Sequence, residues 1–375
     1  MNDVRGPRRV LMTTDTVGGV WTFSLELCAE LCGRGATVLL AACGGEPDAA
    51  QRAAAQRIAG LELCTSRAKV EWMQDPWRDV DWTGAWLLEL ARRFRPDLVH
   101  LNEYSHAALD WPAPVVVVGH SCVLSWFAAV RHEQAPPAWD EYGRRVRAGL
   151  AAADLVVAPT AAMLAALQRY HGPLPRTRVI MPGAQPERFR PGDKEPMIFS
   201  AGRLWDEAKN VAALVRVAAE LPWPVVVAGP AAFDGHGGEV RLPGVRSLGR
   251  VSQEARARWL GRASIYALPA RYEPFGLSAL EAALAGCALV LGDLQSLREV
   301  WGRAAVFVPP DEPDALAAAL RRLVRDRDER HALARAGRAR ALELGARRMG
   351  TAYLSAYRDL LGERAGARVR RRAGA

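Results

Sequence analysis

No stretch of this chain approaches the run of about eighteen apolar residues that a helix needs to cross a bilayer, and Met1 to Arg9 has no apolar core of the kind a secretory leader requires. These two absences predict a cytoplasmic protein. Cysteine pairs are missing as well: Cys28, Cys32, Cys43, Cys64, Cys122 and Cys287 form no C-x-x-C and stand at no ligand spacing from a histidine. Neither a disulfide framework nor a zinc site is indicated, and reduced, buried thiols are expected. The net charge is +9, yet no aromatic-interleaved basic motif or helix-turn-helix pattern accompanies it. Nucleic acid is therefore not an expected partner, which leaves phosphorylated ligands or an anionic lipid surface. The densest basic cluster is the tail Arg364 to Arg372, with Arg368-Val369-Arg370-Arg371-Arg372; it reads as a solvated terminus or as a weak peripheral membrane contact. Lysine is almost absent. Lys69, Lys194 and Lys209 are the lysines within a total of 50 Lys plus Arg, so arginine does nearly all other cationic work.

What is present fills two cores. A chain of 375 residues, 50% hydrophobic and with Trp at 12 positions, exceeds what one core usually supports. Its first half alternates strands and helices: Arg9 to Thr13, a helix from Gly19 to Gly33, Thr37 to Ala42, Leu98 to Leu101, Val115 to Val118, Leu155 to Ala158 and Arg178 to Met181. A second set follows at Met197 to Ser200, Val225 to Ala228, Val245 to Leu248, Ser264 to Leu268, Ala288 to Leu291 and Val306 to Val308, closed by helices at Pro313 to Arg325 and Asp328 to Leu344. The pattern predicts an α/β protein of two Rossmann-like, doubly wound domains. Pro182 to Pro196, rich in proline, glycine and charge, reads as the linker, with Phe189 as an anchor. The expected division is 1–190, 191–345 and a closing segment 346–375.

The most informative stretch is Arg271-Tyr272-Glu273-Pro274-Phe275-Gly276-Leu277-Ser278-Ala279-Leu280-Glu281-Ala282-Ala283. A buried strand precedes it and good helix formers follow, so the turn runs from Ala270 to Gly276. Free N–H groups at Phe275, Gly276 and Leu277 would open the helix, and such a terminus favours a phosphate. Glu281 falls in an otherwise apolar row and must have a partner, since an unpaired buried carboxylate is costly. Vicinal ribose hydroxyls or a structural arginine would serve. Glu273 reads either as a solvated loop carboxylate or as a ligand to the same molecule.

Upstream lies Ser200-Ala201-Gly202-Arg203-Leu204-Trp205-Asp206-Glu207-Ala208-Lys209-Asn210, at the end of a strand. Lys209 on that loop suggests a compact point charge for a phosphate oxygen, with Arg203 as the planar fork beside it. No acidic group resembles a metal clamp: Asp326 and Asp328 merely flank Arg327 in a charged helix, and Arg203, Lys209 and a helix N-terminus already supply positive charge. In the first half, Gly18-Gly19 follows the first strand, and His120 follows four valines at a strand end. Trp72, Trp77, Trp82 and Trp86 form the densest aromatic cluster, with Trp82 and Trp86 on one helical face. They read as a stacking platform for a ligand or as core under a long loop. Trp126 with Phe127 has the same two readings, and Asn102-Glu103 is an unusual acidic pair that binds a polar or cationic group of a ligand or caps a helix.

Together the G-R-x(5)-K-N loop and the E-x(7)-E segment resemble the retaining GT-B glycosyltransferases of family 4. Ala228-Gly229-Pro230, Leu248-Gly249-Arg250-Val251 and Asp293 to Glu299 occur in family order, as do Gly18-Gly19, His120-Ser121 and Ala153-Asp154-Leu155-Val156 in the first half. The resemblance implies GT-B architecture, with a central cleft between an N-terminal acceptor-side domain and a C-terminal domain that binds the nucleotide sugar. It implies a last helix, around Arg347 to Leu361, that crosses back to brace the first domain. It implies transfer of a sugar from a nucleoside diphosphate sugar to a hydroxyl of a sugar, lipid-linked or small-molecule acceptor, with retention and with no cofactor. Arg250 and Val251 would flank the base, Glu281 the ribose, and Arg203, Lys209, Phe275, Gly276 and Leu277 the diphosphate. Glu273, His120, Gly18 and Gly19 would meet the sugar side, and Trp72, Trp77, Asn102, Glu103 and Trp126 the acceptor. His120, Glu273, Arg203 and Lys209 would be the catalytic group. The chain departs from the family at Met181-Pro182-Gly183-Ala184, where many members read Pro-Asn-Gly, so no role carries over to that loop. Two other activities stay open: a nucleotide-sugar epimerase, and a catalytically silent nucleotide-sugar-binding subunit.

Overall fold

The computed structural model describes residues 6–232 and 242–373, with side chains as far as Arg364. Its strands and helices divide into two compact units. One comprises the chain up to Ser125, Gln134–Pro182 and the segment from Ala346 onward; the other comprises Trp126–Glu133 and Gly183–Gly345. The crossing at 182/183 falls a little before the 190/191 division expected from composition, because Phe189, at the end of the linker, is 1% exposed and belongs to a core.

The first unit is built from β1 (Arg9–Asp15), α1 (Gly19–Cys32), β2 (Thr37–Cys43), α2 (Ala49–Gln56), β3 (Leu61–Thr65), α3 (Trp77–Phe94), β4 (Leu98–Leu101), β5 (Val115–Val118), the start of α4 (Val123–Val130), α5 (Asp140–Ala152), β6 (Leu155–Ala158), α6 (Ala161–His171) and β7 (Thr177–Val179). Its strands pair in parallel in the order β3-β2-β1-β4-β5-β6-β7. Helices cover both faces of such a sheet, so its central strands are apolar without alternation, and every residue of β4, β5 and β6 is buried. The edge strand β3 is only half-buried, and its mixed sequence Leu-Glu-Leu-Cys-Thr gave no periodic signal for a strand. Where a strand at Arg178 to Met181 was expected, β7 runs one residue earlier and stops before the Ile180–Pro182 exit.

The second unit contains β8 (Glu195–Ala201), α7 (Val211–Ala218), β9 (Val225–Ala228), β10 (Arg246–Ser247), α8 (Gln253–Arg262), β11 (Ala263–Leu268), α9 (Leu277–Leu284), β12 (Ala288–Gly292), α10 (Gln295–Trp301), β13 (Val306–Val308), α11 (Pro313–Arg325) and α12 (Arg327–Leu342). Its sheet order is β10-β9-β8-β11-β12-β13, again parallel. Order reverses beside β8 and β11, so the loops leaving the carboxyl ends of these two strands form the switch point of a doubly wound sheet. Backbone crowding there is extreme: a Cβ on Gly229 would stand 1.7 Å from the carbonyl oxygen of Gly202, and Gly229 has φ +142. Only glycine fits. The strand expected at Val245 to Leu248 shrinks to an exposed pair at the sheet edge. Helix α12 begins at Arg327 because the Asp326 carboxylate accepts the Glu329 N–H at 2.8 Å and caps it.

The last helix, α13 (Ala346–Ala373), packs on α1 within the first unit. Arg34 of that unit reaches the Arg347 carbonyl at 3.1 Å and the Thr351 hydroxyl at 3.2 Å. The side chains of the basic run Arg368 to Arg372 lie outside the described residues. Among those described, no helix is long and apolar enough to cross a membrane.

Candidate active site

Chemistry in the second unit gathers on two loops. The loop after β8 passes through Gly202, across which the stem of Lys209 runs: a Cβ on Gly202 would lie 3.6 Å from Lys209 Cγ. Asp206 organises this loop. Its carboxylate accepts from Arg203 Nη2 at 2.7 Å, the Ala208 N–H at 3.0 Å and Trp126 Nε1 at 3.3 Å. Burial alone would raise its pKa, but the charges of Arg203 and Lys209 outweigh that and hold it below the usual value. Asp206 was not singled out from sequence; its place three residues after Arg203 on a turn was the available signal.

The loop after β11 supplies Glu273. Its Oε2 lies 2.7 Å from Lys209 Nζ, and its Oε1 accepts the Gly276 N–H at 3.0 Å. Both side chains are sheltered, at 16% and 12% exposure. The Gly276 N–H, expected free for a phosphate, is thus taken by Glu273. Gly276 itself has φ +90, a left-handed conformation that turns the chain into α9. Phe275 is 4% exposed and is a core side chain, so only its backbone faces the turn. Leu277 is half-buried at the helix start. Ser296, at the start of α10, donates to the Glu273 carbonyl at 2.5 Å and fixes that loop further.

Glu281 is 3% exposed, and Arg256 Nη2 on α8 donates to its Oε1 at 2.8 Å. An arginine is thus one partner of Glu281. Its Oε2 is buried without a protein partner, so the carboxylate keeps one unfilled acceptor. Burial raises its pKa, and Arg256 opposes the shift. Arg250 is exposed and Val251 half-buried, on the loop after β10.

In the first unit, a pocket at the carboxyl end of the sheet is lined by Asp15, Glu71, Trp72, Asn102, Glu103 and His120 among others. It brings together His120 and three of the acceptor-side candidates. Gly18 caps α1 and Gly19 is exposed at its first position; neither lines the pocket. Trp77 is also elsewhere, packed on the core with Arg145 4.8 Å above its ring. Trp126 belongs to the second unit, where its indole supports Asp206. Trp82 stacks on Trp86 at 6.0 Å and is 55% exposed, outside the pocket.

The Asn102-Glu103 pair does two different things. Asn102 Oδ1 is shared by His120 Nε2 at 2.7 Å and His100 Nε2 at 3.2 Å. Glu103 Oε1 lies 2.8 Å from His106 Nδ1, an ion pair rather than an aligned hydrogen bond. His106 Nε2 lies 2.8 Å from the Val80 carbonyl, so both ring nitrogens face acceptors. Burial would lower its pKa, but Glu103 and the carbonyl bring it up to about 9. Glu71, 3% exposed, accepts the N–H groups of Tyr104 at 2.9 Å and Ser105 at 2.8 Å. Burial, reinforced by Glu103, raises its pKa.

Two parallel doubly wound sheets with polar loops at their strand ends define an α/β protein of two Rossmann-like domains. Residues 17–188 match the family described as Glycosyltransferase Family 4, and residues 184–340 match Glycosyl transferases group 1. The chain belongs to the family 4 glycosyltransferases of GT-B type. It is 29% identical over 271 residues to D-inositol 3-phosphate glycosyltransferase of Nocardia farcinica, covering 62% of this chain and 59% of that protein. Glycogen synthase of Mycobacterium tuberculosis is 39% identical over 101 residues, 26% of this chain and 24% of that enzyme. The matched segments thus span less than two thirds of the length of these relatives. Sucrose-phosphate synthase from Thermosynechococcus elongatus shares the fold with a TM-score of 0.81 at 19% identity, covering 95% of this chain and all of that one. HepE of Anabaena, solved in complex with UDP and glucose, does so at 0.73 and 16% identity, covering 93% and 99%.

Proposed function

We propose that the protein transfers a sugar from a nucleoside diphosphate sugar to an acceptor hydroxyl, with retention at the anomeric carbon. The observation that carries this reading is the Lys209–Glu273 pair beside Arg203, which sets a cation and a carboxylate at the switch point of the second sheet. In this reading Lys209 and Arg203 meet the diphosphate, and Glu281 offers its unfilled oxygen to a ribose hydroxyl. Glu273 orients the sugar, and the pocket around His120 takes the acceptor side. The bond between the anomeric carbon and the phosphate oxygen breaks, and a bond to the acceptor oxygen forms on the same face. The acceptor proton passes to the departing phosphate. Charge grows on the diphosphate as it leaves, so a fixed cation lowers the barrier most there; losing one such donor typically costs ~3 kcal/mol. No metal ion or other cofactor is required in this scheme. The HepE complex with UDP and glucose supports a nucleotide-sugar donor by family likeness.

The test is thermal stabilisation by UDP, GDP, ADP and dTDP and their sugar conjugates, on wild type and Glu281→Ala. A ligand at a hundred times its dissociation constant adds ~2.7 kcal/mol, which a melting curve resolves. Stabilisation of wild type by one nucleotide, lost in the variant, is expected; no stabilisation by any of them would overturn the reading. Incubating the stabilising donor alone then singles out an epimerase, which converts it without acceptor, whereas a transferase at most hydrolyses it slowly; a silent subunit shows neither activity and is indifferent to Glu273→Ala and His120→Ala.

A further inference from the structure

Four side chains in the first unit form one hydrogen-bonded chain that reaches from α13 to the pocket. Tyr357 Oη lies 2.6 Å from His100 Nδ1. His100 Nε2 and His120 Nε2 meet at Asn102 Oδ1, at 3.2 and 2.7 Å. The amide cannot be flipped, because Asn102 Nδ2 donates to the Thr13 carbonyl at 2.7 Å and to the Ser24 hydroxyl at 3.2 Å. An exchange of oxygen and nitrogen would set the amide oxygen against the Thr13 carbonyl, which only accepts.

The proton positions follow from this inventory. An amide oxygen accepts only, so both histidines carry hydrogen on Nε2. His100 Nδ1 then holds a lone pair, and the Tyr357 hydroxyl must be the donor to it. His120 is left with its lone pair on Nδ1. The ring is held in orientation as well, since Phe23 packs edge-on against it with centroids 4.6 Å apart.

We propose that Asn102 is a positioning residue that locks His120 as the Nε2–H tautomer, so that His120 meets its ligand only as a hydrogen-bond acceptor, from a hydroxyl group, with Tyr357 fixing the same tautomer in His100. A neutral ring agrees with the surroundings. His120 is half-buried yet enclosed by protein, and burial with His100 beside it pushes its pKa down to about 3; burial brings His100 to about 4 although the bond to Asn102 opposes this. The pocket has the matching polarity: Asp15, Glu71 and Glu103 line it, and no lysine or arginine is among the lining residues. A hydroxyl donor fits this wall and a phosphate oxygen does not. The hydroxyl-ligand part rests on the proposed glycosyl transfer; the tautomer does not.

The experiment is nitrogen-15 NMR of the histidine rings in the full chain at neutral pH. His120 and His100 should each show a protonated-type Nε2 and a lone-pair-type Nδ1. A proton on His120 Nδ1, or a tautomer mixture in wild type, overturns the proposal without any variant. In Asn102→Leu the His120 signals should shift towards a mixture. An unchanged tautomer in folded Asn102→Leu overturns the locking role. With the stabilising donor, Asn102→Leu should lower turnover at least tenfold while melting shifts by the nucleoside diphosphate stay as in wild type. The expected tautomer in wild type together with undiminished turnover in His120→Ala sinks the hydroxyl contact, and an absent melting shift in wild type sinks the donor assignment instead.

Discussion

Lys209 Nζ and Glu273 Oε2, carried by loops that leave two neighbouring strands, lie 2.7 Å apart in a sheltered site. A diphosphate that reaches for Lys209 has to compete with that carboxylate. Glu273→Gln should therefore bind a nucleoside diphosphate several-fold more tightly than wild type, while sugar transfer falls by about a hundredfold. Lys209→Ala should weaken both. Calorimetric titration alongside initial rates checks the pair, and equal affinity in wild type and Glu273→Gln would show that the carboxylate does not restrain the lysine.

The buried Glu281–Arg256 pair makes a prediction about stability. Arg256→Leu removes the hydrogen-bonded cation from a carboxylate that is 3% exposed, leaving only the charge of Arg188 to act on it, and breaking such a pair costs about 3 kcal/mol. Adding Glu281→Gln should restore a large part of the loss. Urea unfolding of the two variants decides it; additive losses would mean that the two groups are not coupled.

His106 supplies a pH dependence with a definite sign. Its folded pKa of about 9 exceeds the ordinary 6.5, a difference worth about 3 kcal/mol. Because the folded value is the higher one, this stability is fully present below pH 6.5 and drains away as the pH rises through 9. Wild type should accordingly lose stability between pH 6 and about 9.5 beyond what Glu103→Gln loses. Parallel stability curves for the two proteins would remove Glu103 as the cause.

Lys194 is a structural counterpart to Lys209. Its Nζ donates to the carbonyls of Leu260 at 3.1 Å, Ala263 at 2.9 Å and Ala285 at 2.7 Å, joining the ends of α8 and α9. Three donors on one compact head suit three convergent carbonyls, which a planar guanidinium does not. Lys194→Met keeps the stem and removes three donors, leaving only Cys287 Sγ, 3.2 and 3.3 Å from the Leu260 and Ala263 carbonyls, so a loss of about 2 to 4 kcal/mol is expected by denaturant titration, with nucleotide affinity unchanged.

That contrast marks where sequence reading reaches its limit. The scarcity of lysine drew attention to Lys209, but scarcity alone does not separate a ligand charge from an internal clamp such as Lys194, and Lys69 merely reaches the Gln74 carbonyl at 3.0 Å near the surface. Strands such as β5 were legible because burial on both faces demands four valines in a row. Helix α11 was legible because Pro313 opens it and its apolar stripe runs unbroken to Leu323. Glu281 stood out as a carboxylate in an apolar row, and Glu273 as the carboxylate at the turn before it. Their partners did not, because tertiary structure supplies them: Arg256 comes from 25 residues away, and Tyr357 meets His100 across 257. The partner of Trp126 was hidden for the same reason: its indole serves Asp206, 80 positions downstream.

Asn210 follows Lys209 directly in a left-handed conformation, φ +53, and its amide grips the carbonyls of Pro269 at 2.9 Å and Pro310 at 2.7 Å. The segment bearing Arg203 and Lys209 is thereby riveted to the exits of β11 and β13, one residue beyond the lysine. Under the proposed function, adapting this segment to a different sugar is then a matter of exchanging side chains on a fixed frame. Loop grafting would tear out the rivet, whereas substitutions at single positions leave it standing, so variation among relatives and success in laboratory redesign should both concentrate in side chains that point away from Asn210.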